Sequence, residues 1–495
     1  MPSYDHIVVG GGISGMTTAM LLAKDGAQVA IIESFPLLAP TVRGFRRKGV
    51  LFDTGLHYVG GLGDGHPLDV YFKHLGISNH IRKKAYNPCG FDRFLFEKKA
   101  LSYDIPCGFD KLTSTFTKWF PNEGKSIERY FTAIQQTLDA SPFLNFSMDF
   151  DLGSAIHSDT TTLEDFLAGI TENEELKTLL CYQNLLYGVP PTEALLITHA
   201  LVAGSYYMSA HTIEGGGNAL VKAYEKRLKE LNVECFCGNR VESILINDAK
   251  EVEGVTLNTG KNLSTRSCIW TAHPHGLIKA TPDSAFRPAF KKRLAILEDT
   301  TSALMLFGIC EEPIESLNGR NIFLWPGGSF DDNLNGRSNQ NESIIYLSST
   351  YDKKSKKTAI TAITPQPYGP YAQWKDSKRG NRPPEYVEHK KNVLETFKQE
   401  IFRRAPELQG SIEFIDGATP LTLKDYCATP TGSLYGLKHS VNQFNPAPIT
   451  KVSGLTIAGQ GIVAPGILGA IVSAYLTCGI LIGHDHLHKE LRQHA

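Results

Sequence analysis

The chain has 495 residues, which is long enough for two or more domains. Hydrophobic residues make up 42% of it and charged residues 20%, a balance typical of a globular protein. Its 50 Lys and Arg residues nearly match its 51 Asp and Glu residues, so bulk charge favours neither nucleic acid nor an anionic membrane as a partner. Nine cysteines occur without metal-binding or redox spacing, as in a cytoplasmic protein with reduced thiols.

The N-terminal residues predict a strand, a glycine turn, a helix and a second strand. The apolar run His6–Val9 predicts a buried parallel strand, and Ile13–Lys24 carries apolar residues at helical spacing without proline. Residues 29 to 32 predict the second strand, which ends at Glu33. Since the first strand begins at about residue 5, we expect no signal peptide and a cytoplasmic location.

Glycines between the first strand and the helix have the spacing G-x-G-x-x-G. Gly10 allows the tight turn, Gly12 leaves space for a pyrophosphate, and Gly15 lets the helix pack on the strand. Free N–H groups and the helix dipole attract phosphates, and Glu33 is placed to accept hydrogen bonds from a ribose. An incidental glycine cluster is the alternative, but strand, helix and terminal acid in one unit favour dinucleotide binding.

The next part of the chain, up to about residue 210, predicts a hairpin and then helices. Residues 91 to 103 predict the hairpin, with Lys98 and Lys99 at its turn. Helical periodicity follows in five segments, at residues 109–119, 126–138, 163–170, 174–186 and 191–203. The segments are rich in Phe, Leu and Tyr, which form either a core or the lining of an apolar pocket, and periodicity does not separate the two.

Residues 213 to 272 return to an alternating α/β pattern. A run of glycines at 215–217 leads into an amphipathic helix. Strands are predicted at residues 233–236, 240–246, 252–257 and 267–272. The alternation places this block in the nucleotide-binding domain again.

Residues 286 to about 450 form a second block outside the nucleotide-binding pattern. Strands are predicted at residues 303–309, 344–348 and 412–415, with one helix over Pro384–Arg404. A proline-rich loop at residues 364–384 carries Tyr368, Tyr371 and Trp374. This loop is either a solvated surface excursion or a lid or membrane-touching element.

The C-terminal residues predict a buried strand at 455–458 and a helix that starts near Pro465 or Gly466. The positive end of that helix can stabilise negative charge on an electron-rich ring. The apolar tract at residues 462–483 is broken by proline and glycines, so we interpret it as a core helix rather than a membrane span. His484, His486 and His488 alternate after it, and we expect a solvated tail there rather than a metal site.

Four motifs occur in a fixed order along the chain. They are G-x-G-x-x-G at 10–15, Phe-Asp-x-Gly at 52–55, Glu-Gly-Gly-Gly at 214–217, and Ala-Gly-Gln followed by Pro-Gly-Ile-Leu-Gly within 458–469. In this order they resemble the FAD-dependent phytoene desaturase, carotenoid isomerase and retinol saturase family, within the amine-oxidase-like flavoproteins. Residues 53–60, 419–426 and 432–436 look most like the retinol saturase branch.

This resemblance implies an α/β fold. We expect a discontinuous Rossmann-type FAD-binding domain, with a parallel sheet and a three-stranded crossover, and an inserted α+β substrate domain with a helical subdomain. The implied boundaries are 1–80, 211–285 and 450–495 for the FAD-binding domain. The substrate domain takes 81–210 and 286–449, of which 105–210 is mainly helical.

The resemblance also implies FAD as the cofactor and a set of residues that contact it. The expected FAD contacts are Gly10, Gly12, Ile13, Ser14, Gly15, Glu33, Ser34, Arg43, Val241, Gly459, Gln460, Gly466, Ile467 and Leu468. One position departs from the family, because its usual Gly-Gly pair after the ribose acid is replaced by Ala39-Pro40. We expect Arg43 to take over a phosphate or flavin contact there.

The implied activity is that of an FAD-dependent oxidoreductase on carbon–carbon bonds of an apolar isoprenoid or polyene. Desaturation, saturation and cis-trans isomerisation all fit, by hydride transfer at flavin N5. Candidate proton carriers or ring-positioning groups are His57, Tyr58, Tyr426 and Tyr435, each of which is otherwise a buried, hydrogen-bonded side chain. An apolar substrate also implies peripheral membrane contact. The electron donor or acceptor stays open.

Three alternatives compete with this function. A flavin-dependent amine oxidase uses the same scaffold. A non-catalytic FAD-binding escort for lipidated proteins would bind FAD without turnover. A pyridine-nucleotide disulfide reductase is excluded by the absence of a redox C-x4-C and of a second G-x-G-x-x-G.

Overall fold

The computed structural model describes residues 2–151, 153, 160–337 and 342–495. Its strands are β1 His6–Val9, β2 Val29–Glu33, β3 Phe45–Arg47, β4 Val50–Phe52, β5 Val59–Gly60, β6 Lys83–Ala85, β7 Asp92–Phe96, β8 Leu101–Ile105, β9 Ala210–Ile213, β10 Glu234–Cys237, β11 Val241–Ile246, β12 Val252–Leu257, β13 Asn262–Ser264, β14 Cys268–Trp270, β15 Ser302–Cys310, β16 Asn321–Trp325, β17 Ile345–Asp352, β18 Lys357–Gln366, β19 Glu413–Ala418 and β20 Leu455–Ile457.

The α-helices occupy both the N-terminal and C-terminal parts and most of residues 109–230. They are α1 Ile13–Lys24, α2 Pro67–Leu75, α3 Phe109–Trp119, α4 Gly124–Asp139, α5 Leu163–Ala168, α6 Glu174–Cys181, α7 Leu196–Met208, α8 Gly216–Glu230, α9 Pro274–Ala280, α10 Pro288–Ala295, α11 Phe330–Leu334, α12 Pro384–Arg404, α13 Pro420–Cys427, α14 Gly466–Ile482 and α15 His484–Arg492.

A five-stranded parallel sheet in the order β10-β2-β1-β14-β20 is the base of the nucleotide-binding part. Its inner strands read as continuous apolar runs because both faces of a parallel sheet are covered. On one face, α1 and α14 pack together, and Cys478 Sγ lies 3.8 Å from the Thr18 carbonyl oxygen. The predicted α/β fold with a Rossmann-type domain is confirmed.

Two of the remaining sheets correspond to the predicted architecture. The antiparallel sheet β11-β12-β13 is the expected three-stranded crossover. A seven-stranded sheet has the order β19-β15-β18-β17-β16-β7-β8, with β16 and β7 parallel and the other pairs antiparallel. The small sheet β5-β9-β6 joins segments on either side of the helical region. The residue limits of the two predicted domains stay a prediction.

The helix predicted at residues 191–203 was misplaced, since α7 runs over Leu196–Met208. Residues just before it are held by partners far away in sequence. Ala194 forms a bridge with Ser440, and Leu195 forms one with Thr162. Because these residues are held in extended contacts, the helix starts five residues after Pro191, which was expected to begin it.

The histidine-rich C-terminus forms α15, so the expected solvated tail was wrong. The His484 ring stacks on Phe150 with centroids 4.9 Å apart, and His488 is buried against Phe146 and Phe150. The helix α14 before it is buried over most of its length, as predicted for a core helix. Within the described residues, no helix has the length and apolar character needed to cross a bilayer.

The aromatic residues of the loop at 364–384 face the protein. Tyr371 is fully buried, and the Trp374 ring packs 5.5 Å from Tyr386. Tyr368 and Trp374 are half-buried, and the interpretation of the loop as a lid or membrane-touching element stays a prediction. The later part of the loop contributes Arg379 and Arg382 to the wall of a large cavity.

Candidate active site

A cavity of about 1770 Å³ lies at the carboxyl ends of the parallel strands. It is lined by the turn after β1, by the end of β2, by the residues after β14 and β20, and on its far side by Met305 and Phe307 of β15. Ligands of open α/β sheets bind at this edge. The volume exceeds the range of about 300–1000 Å³ for drug-sized ligands, so it has room for a dinucleotide and part of a substrate.

The glycine turn after β1 is packed as the motif requires. Gly10 has φ 109°, and a Cβ added at Gly15 would lie 1.9 Å from the Gly10 carbonyl oxygen. Thr271 Oγ1 donates to the carbonyl oxygens of both Val9 and Gly10, at 3.0 Å each, which fixes the turn. A Cβ added at Gly12 would meet no atom within 4 Å, because this residue faces the cavity.

The N-terminus of α1 is chemically suited to a pyrophosphate. Gly12 caps this helix without a side-chain hydrogen bond, and Ile13 and Ser14 line the cavity. The Ser14 hydroxyl is buried and has no hydrogen-bond partner among the described residues. Unpaired N–H groups, the helix dipole and an unused hydroxyl fit a phosphate anion.

Glu33 ends β2 at the cavity wall. Its carboxylate accepts from the backbone N–H of Gly11 at 2.7 Å and of Phe35 at 2.8 Å, and from Ser34 Oγ at 3.1 Å. A carboxylate has about four acceptor positions, so about one is left for a ribose hydroxyl. Val241, the first residue of β11, is buried and lines the same cavity.

Ala39 and Arg43 occupy the segment that departs from the family pattern. Ala39 is buried and has φ 48°, in the left-handed region that glycine adopts most readily, and its N–H donates to the Gly11 carbonyl at 2.8 Å. The chain thus keeps a glycine conformation without glycine. Arg43 lines the cavity, donates to the Leu38 carbonyl at 2.7 Å and pairs with Glu225. Its remaining donors are available to a ligand.

Gly459 and Gln460 follow β20 on the opposite side of the cavity. Gly459 has φ 125° and donates its N–H to Ser473 Oγ at 2.9 Å. The Gln460 carbonyl accepts from His439 Nε2 at 2.7 Å. Both residues line the cavity, so the ends of the chain face each other across it.

The N-terminus of α14 separates the large cavity from a smaller apolar pocket of about 160 Å³. Gly466 and Ile467 line both spaces, and Leu468 lines the smaller one. Pro465 is the N-cap and has no N–H to leave unpaired. The pocket is walled mainly by apolar and aromatic side chains, including Leu68, Phe143, Leu144, Leu186, Leu201 and Tyr206.

His57 and Tyr58 lie in an aromatic cluster beside this pocket. The Tyr58 ring is 4.7 Å from Tyr206, and its hydroxyl donates to Asp92 Oδ2 at 2.9 Å. The partly buried His57 ring lies 5.8 Å from Tyr346 and has no side-chain hydrogen bond within the described part of the chain. Burial lowers the pKa of His57 to about 4, so the ring is neutral at pH 7.

Asp92 is the centre of a buried polar network that sequence reasoning missed. Its Oδ2 accepts from the hydroxyls of Tyr58 and Tyr182, at 2.9 and 3.0 Å, and its Oδ1 accepts from Asn321 Nδ2 at 2.8 Å. Tyr346 donates to Asn321 Oδ1 at 3.0 Å. Burial raises the pKa of Asp92 to about 7. The network thus connects the rings of Tyr58 and Tyr346, which neighbour His57, to the carboxyl group of Asp92.

Tyr435 and Tyr426 line the large cavity at different depths. Tyr435 donates its hydroxyl to the Leu185 carbonyl at 2.8 Å, and burial raises its pKa. Tyr426 is 46% exposed, and the Arg379 guanidinium lies 4.9 Å from its ring centroid. Among the candidate proton carriers, the structure places His57 and Tyr58 together and places Tyr426 on the solvent side of the large cavity.

Asp53 joins two of the sequence motifs at the start of α8. Its Oδ1 accepts from the Gly217 N–H at 3.0 Å, and a Cβ at Gly216 would lie 2.0 Å from the same oxygen. Asp53 Oδ2 has no hydrogen-bond partner among the described residues. Burial raises the pKa of Asp53 to about 6, with the hydrogen bond from Gly217 opposing that shift. The Phe-Asp-x-Gly motif therefore caps a helix.

We expect Asp53→Ala to destabilise the fold by about 2 kcal/mol, since the start of α8 loses its acceptor. Asp53→Asn keeps an acceptor oxygen and should lose less free energy of unfolding. Chemical denaturation of both variants at pH 7 measures the difference. Equal losses for the two variants would contradict the capping role.

Comparison with known proteins extends these features beyond the motifs. Residues 8–75 match a family model described as an NAD(P)-binding Rossmann-like domain. The chain is 27% identical to an all-trans-retinol 13,14-reductase from Danio rerio, over 98% of this chain and 87% of that protein. It is 20% identical to a 4,4'-diapophytoene desaturase (4,4'-diaponeurosporene-forming) from Staphylococcus haemolyticus, over 88% of this chain and 89% of that protein.

Solved structures show the same fold. An oxidoreductase from Methanosarcina mazei matches with a TM-score of 0.66 at 14% identity, over 96% of this chain and 99% of that one. Putrescine oxidase with bound putrescine matches with a TM-score of 0.64 at 13% identity, over 97% and 99%. At these identities the two structures inform on the fold alone. The similarity along nearly the whole chain relates this protein to an all-trans-retinol 13,14-reductase and, more distantly, to a diapophytoene desaturase.

Proposed function

We propose that the protein binds FAD and oxidises, reduces or isomerises a carbon–carbon bond of an apolar isoprenoid or polyene. One observation supports this most: Gly466 and Ile467 line both the large polar cavity and the small apolar pocket. A cofactor ring at this helix start would have an apolar space beside it. Bound FAD would supply hydride acceptance or donation. The relatives named for retinol reduction and diapophytoene desaturation support the same bond type.

In this proposal the two ends of the chain hold opposite ends of the cofactor. Gly12 and Ser14 bind the pyrophosphate, and Glu33 accepts from the adenosine ribose. Gly459 and the N-terminus of α14 hold the flavin end, where the positive end of the helix stabilises negative charge. We also propose that the chain divides into the two discontinuous domains expected from the sequence.

The apolar pocket supplies substrate binding and excludes water from the reacting bond. Tyr206 forms part of its wall and contacts Tyr58. Because burial lowers the pKa of His57 to about 4, the neutral ring accepts a hydrogen bond and orients a proton donor rather than acting as a cationic acid. Tyr58 and His57 are therefore proposed to hold or move the proton that accompanies hydride transfer. An apolar substrate partitions into bilayers, so we propose peripheral membrane contact. The proposed location is the cytoplasm, as expected from the sequence.

The test begins with the absorbance spectrum of purified protein and mass spectrometry of the released ligand. We expect a yellow protein that releases FAD, and a colourless protein that takes up no FAD would overturn the class. Anaerobic mixing with retinoids, carotenoids and amines then separates the functions. A change of flavin spectrum or substrate with polyenes supports the proposal. Flavin reduction by amines alone indicates the amine oxidase, and no response to either class indicates a non-catalytic FAD binder.

We expect His57→Phe to retain FAD and the fold but to lower turnover roughly a hundredfold, the usual contribution of a general acid or base. Phenylalanine keeps the ring beside Tyr346 and removes both nitrogens. The matched variant Tyr426→Phe, at the solvent side of the cavity, should keep near-normal turnover. Full activity of His57→Phe with bound FAD would exclude His57 as a proton carrier.

A further inference from the structure

An exposed apolar pair lies where the end of α10 meets the segment at residues 442–451. Ile296 is 68% exposed and Phe444 is 79% exposed, both large values for such side chains. Gln443 holds the two segments together, since its side chain accepts from the Glu298 N–H at 2.8 Å and donates to the Glu298 carbonyl at 3.2 Å. The two exposed side chains therefore lie on segments that hydrogen bonds join directly.

Basic side chains flank this pair. Lys292 and Arg293 are exposed, and the Ile296 N–H donates to the Lys292 carbonyl at 3.2 Å, which places Lys292 one helical turn before Ile296. Neither cation has an ion-pair partner among the described residues, although Arg293 lies over the Phe290 ring. Residues 287–298 contain four Lys or Arg and one acidic residue, and residues 439–451 contain no acidic residue. The two exposed cations without ion pairs, Lys292 and Arg293, outnumber the exposed acid Glu298, so this surface carries a small local excess of positive charge.

The inner side of the same elements reaches the large cavity. Leu294 and Leu297 form a small buried cluster with Leu437. Leu437 also lines the large cavity. Leu437 therefore connects the apolar cluster beneath α10 with the wall of the large cavity.

We propose that Lys292, Arg293, Ile296 and Phe444, here called the docking surface, bind the face of an anionic lipid bilayer. Exposed aromatic and aliphatic side chains enter the interfacial region, and cations beside them pair with anionic head groups. The proposal rests on the proposed function, because an apolar substrate would enter the protein from the bilayer. It assigns membrane contact to this surface and not to the aromatic loop at 364–384.

The test measures vesicle binding by flotation, without substrate and without turnover. Vesicles of phosphatidylcholine with phosphatidylglycerol are compared with vesicles of phosphatidylcholine alone, at low and high salt. A charge variant carries Lys292→Gln and Arg293→Gln, and an apolar variant carries Ile296→Ser and Phe444→Ser. The matched control carries Val387→Ser and Lys391→Gln on α12, where an exposed apolar residue and an exposed lysine have the same spacing of four.

We expect wild-type protein to bind the anionic vesicles, more weakly at high salt, and to bind neutral vesicles poorly. At about one kcal/mol per basic residue, the charge variant should bind anionic vesicles roughly thirtyfold more weakly. The apolar variant should lose at least about tenfold, from the loss of buried apolar area. The control should match wild type, and thermal unfolding should show that all variants are folded.

Three results would overturn the proposal. Wild-type protein could bind neither vesicle type. The control could also lose as much binding as the charge and apolar variants. Sedimentation velocity could also show that the wild-type chain dimerises and that the apolar variant does not, which would assign the surface to a second copy. Each result is distinct from a failure of the proposed function, because flavin content and turnover are measured separately on substrate dispersed in detergent.

Discussion

Gly15→Ala is expected to lower the free energy of unfolding by about 3 kcal/mol or more and to abolish FAD binding. The new Cβ would lie 1.9 Å from the Gly10 carbonyl oxygen and 2.8 Å from Thr271 Oγ1. Neither atom can move easily, since Thr271 bonds to the carbonyls that end β1. The helix α1 must then separate from the strand it packs on. Denaturant unfolding of the FAD-free protein measures this loss.

Gly12→Ala is the matched change that separates the fold from the ligand. Gly12 has φ −72° and its Cβ would meet no atom within 4 Å, so unfolding of the FAD-free protein should change by less than about 1 kcal/mol, the cost of alanine at an N-cap. The same methyl group projects into the cavity where a pyrophosphate is expected. We expect FAD affinity to fall at least about tenfold, or about 1.4 kcal/mol, in a fluorescence titration. Normal FAD affinity would show that this turn does not hold the pyrophosphate.

Asp92→Ala is expected to destabilise the protein by about 3–5 kcal/mol. The change leaves the hydroxyls of Tyr58 and Tyr182 and the amide of Asn321 buried without their acceptor. Asp92→Asn keeps the shape and one acceptor oxygen, and should lose much less. It tests the carboxyl charge separately from the packing.

The pH dependence of unfolding should report the same residue. Burial raises the pKa of Asp92 from 3.8 to about 7, so the folded state binds its proton more tightly than the unfolded state does. The stability from this group is fully present below pH 3.8 and is lost as pH rises through about 7, by at most about 1.4 kcal/mol per pH unit. Asp92→Asn should flatten this decline in denaturation at pH 5 to 8, whereas Asp110→Asn, on an exposed face, should not. An unchanged decline in Asp92→Asn would contradict the assignment.

Sequence patterns predicted elements whose signals are local. The bounds of α1 and α12 agree with the expectation because their signals are local: Gly26 follows α1, and Pro384 begins α12. The strand assignments in the nucleotide-binding part were correct to within about two residues, since parallel strands are short apolar runs. The glycine turn was likewise readable, and the structure explains each of its glycines by a contact or an open space.

Features that depend on residues distant in sequence could not be predicted from local patterns. The start of α7 was misplaced because bridges to Ser440 and Thr162 hold the residues before it. Asp92 had a signal, since alternation along β7 places it on the buried face with Phe94 and Phe96. Its role still depends on Asn321, which lies more than two hundred residues further along the chain. Burial and partners, not residue type, made this carboxyl group part of the candidate site.

The strand order of the parallel sheet also has a consequence for biosynthesis. Ile7 pairs with Cys268, and Cys268 pairs in turn with Leu455, so β14 has one unpaired edge until the last tenth of the chain leaves the ribosome. An open strand edge invites pairing with other chains. The start of α14, which is proposed to face the flavin, comes after β20. Nascent chains that stall before β20 would therefore be prone to aggregate, and we expect cofactor binding to follow the synthesis of β20 and α14.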